Sequence, residues 1–419
     1  MSTNVIYVLD KDGIPLMPTH RYGKVRHLLK DNKAEIVHYE PFTIRLLYKS
    51  TTYTQPITLG VDVGSKHVAL SASTEKEELY VAEVTLRTDI TKNLATRREL
   101  RRARRKRTTP YRKPRFKNRR RPLGWVPPSI RHKINCIESR VTFVCSLIPV
   151  KEIILEGGEF DIQKMKAPGI HGKEYQQGDQ FGFRNVKQYV LSRDNFTCQH
   201  CHQTGCLEVH HLESRKTGGN SPSNLVTLCS DCHKEYHSLS KQEKKRWNLP
   251  ARGQSYKDAA HMNIMQKVLY NELKEVYPKV SRTYGYLTES SRSQNGILKS
   301  HVNDAYCIAG NLHAAPAHEM HIQIKVRRHN RQLHKINPMK GGKRKLNQLP
   351  FEVHGFRVFD KVLYKNEPWF IISRRENGRF KLRSFNGRVK DGIYNKNLQL
   401  LEKRKGYAQN MSPRTPLKE

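Results

Sequence analysis

The chain has 419 residues, with Lys+Arg at 77 against Asp+Glu at 38, a formal net charge of +39. At roughly 100–200 residues per domain, this length predicts about two to four domains, and the positive excess calls for a polyanionic partner, nucleic acid before an anionic membrane. No stretch approaches about 18 consecutive apolar residues, and the start, MSTNVIYVLDKDG, lacks a basic segment leading into an apolar one, which argues against a membrane span and a secretory leader.

In chain order, VIYVLD near the start reads as a strand, DKDG as a turn and RYGKVRHLLK (21–30) as a helix. AEIVHY and TIRLLY follow as strands, giving a small βαββ module that ends near residue 52. PITLGVDVGSKHVALSAST (56–74) reads as two paired strands, with a third at LYVAEVTL (79–86). TKNLATRRELRRARRKR (91–107) has no Pro or Gly and predicts a helix, charged around most of its circumference and so no ordinary core helix. SIRHKINCIESRVTFVCSLI (129–148) is an amphipathic helix and VKEIILEG (150–157) a buried-type strand. A polar, Gly-rich linker is expected over 160–182, a Cys/His block over 184–240, a helix over 255–276, a strand in 279–287 and a helix in 300–312. From about 325 onward, short alternating runs predict a small basic β-barrel or sheet.

Of eight cysteines, Cys198/Cys201 and Cys229/Cys232 form two C-x-x-C pairs in polar, turn-rich sequence. That spacing predicts a zinc site in a reducing compartment, the cytoplasm. Cys136, Cys145, Cys206 and Cys307 read as core thiols. Between and after the knuckles lie His210, His211, Asn224, His233 and His237. Adjacent histidines on a strand face opposite ways, so one can bind a metal while its neighbour faces a substrate. His233 and His237, at i and i+4, share one helix face and suit two ligands to one ion. This block resembles the HNH, or ββα-metal, nucleases. The resemblance implies structural Zn²⁺ on Cys198, Cys201, Cys229 and Cys232, and a catalytic Mg²⁺ or Mn²⁺ on His210 and His233, with His237 as a third ligand. It further implies His211 as the general base and Asn224 orienting the His211 loop. A zinc module that only binds nucleic acid is the competing reading.

Three acids and a histidine lie far apart in sequence. Asp62 ends an apolar run in LGVDVGSK, Glu156 ends another in IILEGGEF, and His301 and Asp304 share a helix face in SHVNDAY. Their order resembles a RuvC-like nuclease of the RNase H superfamily. That resemblance implies Asp62, Glu156 and Asp304 as Mg²⁺ ligands and His301 as general base or water-orienting group. Three unrelated surface acids are the alternative.

The whole order, together with PLMP at Pro15–Pro18, GWVPPS (124–129) and DIQKM (161–165), resembles the IscB family of transposon-encoded, RNA-guided endonucleases, relatives of the large single-protein CRISPR nucleases. The implied fold is α/β: an RNase H-like core in three segments, an inserted HNH domain, a small N-terminal α+β domain and a C-terminal basic β domain. The implied boundaries are 1–55 for the PLMP domain, 56–89 for RuvC-I, 90–123 for an Arg-rich bridge helix and 124–182 for RuvC-II with its linker. HNH follows at 183–245, RuvC-III at 246–320 and, at 321–419, a domain for a target-adjacent DNA motif or RNA. The implied partners are a structured guide RNA, bound one protein per RNA, and double-stranded target DNA, with HNH cutting the paired strand and RuvC the displaced one. A protein-guided HNH endonuclease on a non-catalytic RuvC-like scaffold is the alternative.

RRELRRARRKR (97–107) thus falls between two implied ligands of one site, and residues 97–121 carry fifteen Lys/Arg and one acid. The expected RNA-phosphate contacts are Arg97, Arg98, Arg101, Arg102, Arg104, Arg105, Arg107, Arg112 and Arg115. Neutralising Arg101, Arg104 and Arg105 together is expected to weaken RNA binding and flatten its dependence on salt, read by filter binding across a salt series; a change confined to DNA binding would contradict the assignment.

Overall fold

The computed structural model describes residues 5–108, residues 122–327 except 214, 216, 217, 248, 251, 252, 254 and 255, and residues 349–418 except 405. The architecture is mixed α/β. The chain divides into two compact units, one of Met1–Gly158 with Met262–Glu419 and one of Glu159–His261.

The first unit is built on a seven-stranded sheet. Its order is Val280–Tyr284, Glu152–Gly157, Thr58–Val63, His67–Ser73, Glu78–Thr85, Glu319–Lys325, Tyr407–Pro413. The three strands of residues 58–85 form an antiparallel meander, and Thr58–Val63 also pairs in parallel with Glu152–Gly157. Alternation decides which side each residue faces. Leu59, Val61, Val63, Ile153 and Leu155 enter the main core. There they meet Ile130, Ile134, Ile137, Val141 and Val144 of the helix Pro128–Cys145, and Met262, Met265, Leu269 and Leu273 of the helix Lys257–Val276. Both sets recur at three- to four-residue spacing, one face of a helix.

The even-numbered residues of Thr58–Val63 therefore face the other side, where the helix His301–Ala309 packs through Val302 and Ala305 on Ala69, Val81 and Met320. Gly60 is required there. A Cβ at Gly60 would lie 2.2 Å from the Ala305 carbonyl oxygen and 2.5 Å from the Ala309 nitrogen.

Two smaller sheets flank this core. Tyr7–Leu9, Ala34–Tyr39 and Phe42–Leu46 form a three-stranded sheet with the helix Tyr22–Lys30, the expected βαββ order. Lys361–Tyr364, Glu367–Arg374, Arg379–Arg383, Val389–Tyr394 and Gln399–Glu402 form a five-stranded sheet around the fully buried Trp369. The boundary drawn at residue 321 falls inside the strand Glu319–Lys325, and Tyr407–Pro413 returns from the C-terminal region to pair with it in antiparallel register. Hydrophobic alternation carries no information on which sheet a strand joins. The linker also holds a short α-helix, Ile162–Lys166, and a 3₁₀-helix, Gly172–Gln176. A helix at Gly285–Gln294, absent from the sequence reading, follows the edge strand; it buries only Thr288 and so has no apolar face to read.

The Arg-rich segment is helical over Ile90–Thr108. Of the expected RNA contacts, Arg97 and Arg98 are exposed, the side chains of Arg101, Arg102, Arg104, Arg105 and Arg107 lie outside the described ones, and Arg112 and Arg115 lie outside the described residues altogether. Cys206 is exposed, contrary to the core role expected of it; Cys136 and Cys307 are buried and Cys145 is partly so. No helix among the described residues is long and apolar enough to cross a membrane.

A buried ion pair fastens the returning C-terminal segment. Arg414 Nε donates to Glu78 Oε2 at 2.7 Å and Arg414 Nη1 to Asn303 Oδ1 at 2.9 Å, while Ser71 Oγ donates to Glu78 Oε1 at 2.6 Å. Removing one partner of such a pair leaves an uncompensated buried charge. Arg414→Met is expected to lower the unfolding free energy by about 3–5 kcal/mol in a denaturant titration, and a loss under about 1 kcal/mol would show that the pair is not closed to water.

Candidate functional site

In the second unit, the antiparallel strands Leu207–His211 and Leu225–Cys229 lead into the helix Ser230–Ser238. One C-x-x-C pair precedes this hairpin, and the other spans the junction of its second strand with the helix. Cys198, Cys201, Cys229 and Cys232 place all four sulfurs within 4.8 Å of one another, and Cys201 and Cys229 are 3.7 Å apart. Sulfurs about 2.3 Å from a tetrahedral zinc stand about 3.8 Å apart, so the four thiols fit Zn²⁺. Burial opposes the charged form of Cys198, but backbone N–H groups, those of Cys201 foremost, outweigh it and bring the thiol down to about 7. At neutral pH a substantial share of Cys198 is thereby thiolate, the form that ligates a metal.

His210, His233 and His237 form the second cluster, their ring nitrogens within 4.8 Å of one another. Alternation along Leu207–His211 turns His210 inward and leaves His211 on the outer side. His210 Nε2 is buried without a hydrogen-bond partner, and the Nε2 atoms of His233 and His237 face each other at 3.1 Å. Such convergence of ring nitrogens is unfavourable without a shared proton or cation and fits a metal ion. Burial first, then the neighbouring His233 and His237, pushes His210 down to about 4, which keeps its imidazole in the neutral, ligating form. Glu208 Oε2 lies 2.5 Å from His233 Nδ1 and so leaves Nε2 for the ion. Imidazoles suit a borderline transition metal better than Mg²⁺, so the donor set agrees with the site expected here but not with Mg²⁺ as its natural ion.

Asn224 is fully buried in the 3₁₀ turn before the second strand. Its Nδ2 donates to the carbonyls of Glu213 and Gly219, and its Oδ1 accepts from the Glu213 N–H. It ties together the ends of the segment after His211. The side chain that touches His211 is Asn220, whose Oδ1 lies 3.0 Å from His211 Nε2. Neither Asn220 nor Glu208 was singled out in the sequence, because a lone polar residue in a loop or strand carries no spacing signal.

In the first unit, Asp62, Glu156, His301 and Asp304 come together on the side of the sheet opposite the main core. Val61 pairs with Leu155, which sets Asp62 beside Glu156 on adjacent parallel strands. His301 Nδ1 lies 2.6 Å from Asp62 Oδ2, and Asp304, one turn along the same helix, pairs with Arg292 Nε at 3.2 Å. The His67 ring stacks on His301 at 5.5 Å and bonds Glu83 through Nδ1. Arg292 and His67 were not anticipated. Burial, then the Asp62 carboxylate, pushes Glu156 up to about 7, and the same two causes in that order raise Asp304. The hydrogen bond to Asp62 raises His301. Mutual repulsion of three carboxylates is relieved by a cation, and an all-oxygen set suits Mg²⁺. The three acids do not form a single-ion cage within 4.8 Å as the Cys and His groups do.

Glu156 holds a proton below about pH 7 that a bound ion must displace. Mn²⁺ affinity of this cluster is therefore expected to rise with pH between about 5 and 7. Calorimetry at pH 6 in buffers of different ionisation enthalpy is expected to show proton release, diminished in Glu156→Gln; a buffer-independent heat would contradict the assignment.

Residues 6–178 match the family model described as RRXRR protein, and residues 198–239 match that of HNH endonuclease. No curated protein sequence matches the chain. Among solved structures, a Streptococcus thermophilus Cas9 in complex with the AGAA PAM aligns at 15% identity over 44% of this chain and 26% of its own, with a TM-score of 0.31. The Type II-C Cas9 from Actinomyces naeslundii aligns at 16% identity over 43% and 27%, with a TM-score of 0.18. The chain thus spans about a quarter of the length of these structures. The HNH match covers the knuckles, the three converging histidines and His211: this chain carries an HNH endonuclease domain.

Proposed function

We propose that the protein is an RNA-guided DNA endonuclease of the IscB type with two active sites, one for each strand. The observation that carries this reading is the convergence of Asp62, Glu156, His301 and Asp304 from three separated segments of sequence, in a chain that also holds an HNH domain. A nuclease with one site needs no second acidic cluster. The net charge of +39 supports partners with many phosphates, and the helix Ile90–Thr108, inserted between the Asp62 and Glu156 strands, supports a guide RNA held close to the acidic site.

At the HNH site, His211 takes a proton from the attacking water, with Asn220 holding its ring and Asn224 holding the loop. His210, His233 and His237 hold a divalent ion, which supplies charge stabilisation at the phosphate and leaving oxygen. At the acidic site, Asp62, Glu156 and Asp304 hold Mg²⁺, and His301 accepts or orients a proton of water while Asp62 fixes its Nδ1. The HNH site cleaves the guide-paired strand and the acidic site the displaced strand. The Cys198–Cys232 set holds structural zinc. The domain boundaries are those read from the sequence, except that the core takes in Glu319–Lys325 and Tyr407–Pro413. Residues between these strands read a short target-adjacent DNA motif.

Protein purified with RNA from cells carrying its own locus is expected to yield one abundant RNA with a variable end, and to linearise a plasmid matching that end. His211→Ala and Asp62→Ala are each expected to nick it and the double variant to leave it intact. Recovery of no defined RNA would sink the guide. Linear product from Asp62→Ala at the parental rate would leave the RuvC-like core as scaffold only.

A further inference from the structure

Two side chains beside the acidic cluster, His67 and Glu83, have no task in this mechanism. A tight turn joins Asp62 to His67: a Cβ on Gly64 would lie 2.2 Å from the His67 carbonyl oxygen. The strand His67–Ser73 therefore runs straight back along Thr58–Val63, with Asp62 opposite Ala69. Val68, Leu70 and Ala72 enter the main core, while Ala69 packs on the other side. His67 thus faces the side that carries the acids. On the next strand Val81 packs on that side as well, and Glu83, two residues on, shares it.

The contacts agree with this placement. His67 Nδ1 donates to Glu83 Oε1 at 3.1 Å, and the His67 ring stacks on His301 with centroids 5.5 Å apart and planes 10° from parallel. His301 is in need of such a support. It is the first residue of the helix His301–Ala309, so no earlier turn of that helix packs on it, and its side chain is 48% exposed. The hydrogen bond from Nδ1 to Asp62 Oδ2 holds one atom of the ring. It also leaves the lone pair on Nε2, the atom that would meet water. A ring held at one atom still swings, because the outer torsion of a histidine is broad. A flat neighbour lying along the ring face removes that freedom.

We propose that His67, braced by Glu83, is a positioning residue for His301: its ring face fixes the plane of the imidazole so that Nε2 points at the attacking water. The inference rests on reading the acidic cluster as a nuclease site. His67 is then neither a metal ligand nor a proton carrier. What acts is its flat face, and a phenyl ring in its place keeps most of the effect.

Two measurements on the full-length protein test this. The first is NMR of protein labelled with ¹⁵N in histidine, without divalent ions, the His301 Nδ1–H signal being identified by its loss in His301→Gln. The parent and His67→Phe are expected to show that signal, and His67→Ala to broaden it by faster exchange with water. The second is cleavage, by protein carrying its own RNA, of a plasmid labelled on each strand. At saturating protein, His67→Ala is expected to cut the displaced strand at least about tenfold more slowly and His67→Phe to stay within about threefold of the parent. The guide-paired strand, cut by the HNH site, is expected to be cleaved at the parental rate by both. A parental displaced-strand rate or an unaltered Nδ1–H signal in His67→Ala, an equal loss in His67→Phe, or a fall on both strands overturns the positioning role. Displaced-strand cutting by Asp62→Ala would instead remove the nuclease reading of the cluster, and the metal-free signal would still report the ring contact.

Discussion

The acidic site depends on one constraint, the two-residue period of a β-strand applied to two parallel neighbours. Leu59, Val61 and Val63 must enter the core, as must Ile153 and Leu155. Once they do, Asp62 and Glu156 have no choice of side. The Val61–Leu155 pairing then sets the two carboxylates adjacent. The helix His301–Ala309 closes the arrangement because Gly60 lets its backbone come within contact of the strand. A slip of one residue in either strand would turn that strand's acid into the core and its apolar residues out of it.

The two clusters handle charge in opposite ways. In the HNH domain, burial keeps His210 neutral and its Nε2 without a partner, so a cation meets ligands ready to coordinate. In the acidic cluster, burial and mutual repulsion leave Glu156 and Asp304 reluctant to ionise, and Arg292 and His301 offset part of that repulsion. One set of donors is nitrogen and sulfur, the other oxygen, and the ions each prefers follow from that difference. The same division sets Glu208 and Asn220 to work as holders of imidazole rings, and Thr288 as a holder of a carboxyl.

The grouping of the Cys and His residues was legible because it is local. C-x-x-C knuckles, a His-His step on a strand and histidines one helical turn apart impose their geometry through a few residues of backbone. The distant acids were legible only as a set, through their order along the chain. Arg292 and His67 escaped notice because their roles exist only once the sheet has folded. Cys206 was assigned to a core it does not enter, since a single cysteine in a short sequence window says little about burial.

The amino-acid sequence by itself determined the zinc knuckles, the histidine set, the basic helix and the alternation that sorts each strand into core and outer faces. These depend on backbone periods of 2 and 3.6 residues, which any local window contains. The tertiary structure alone decided that Tyr407–Pro413 leaves the C-terminal sheet to complete the central one, and that Arg414 reaches Glu78 and Asn303. Those contacts join residues tens to hundreds of positions apart, and their free energy comes from pairings that no local pattern encodes.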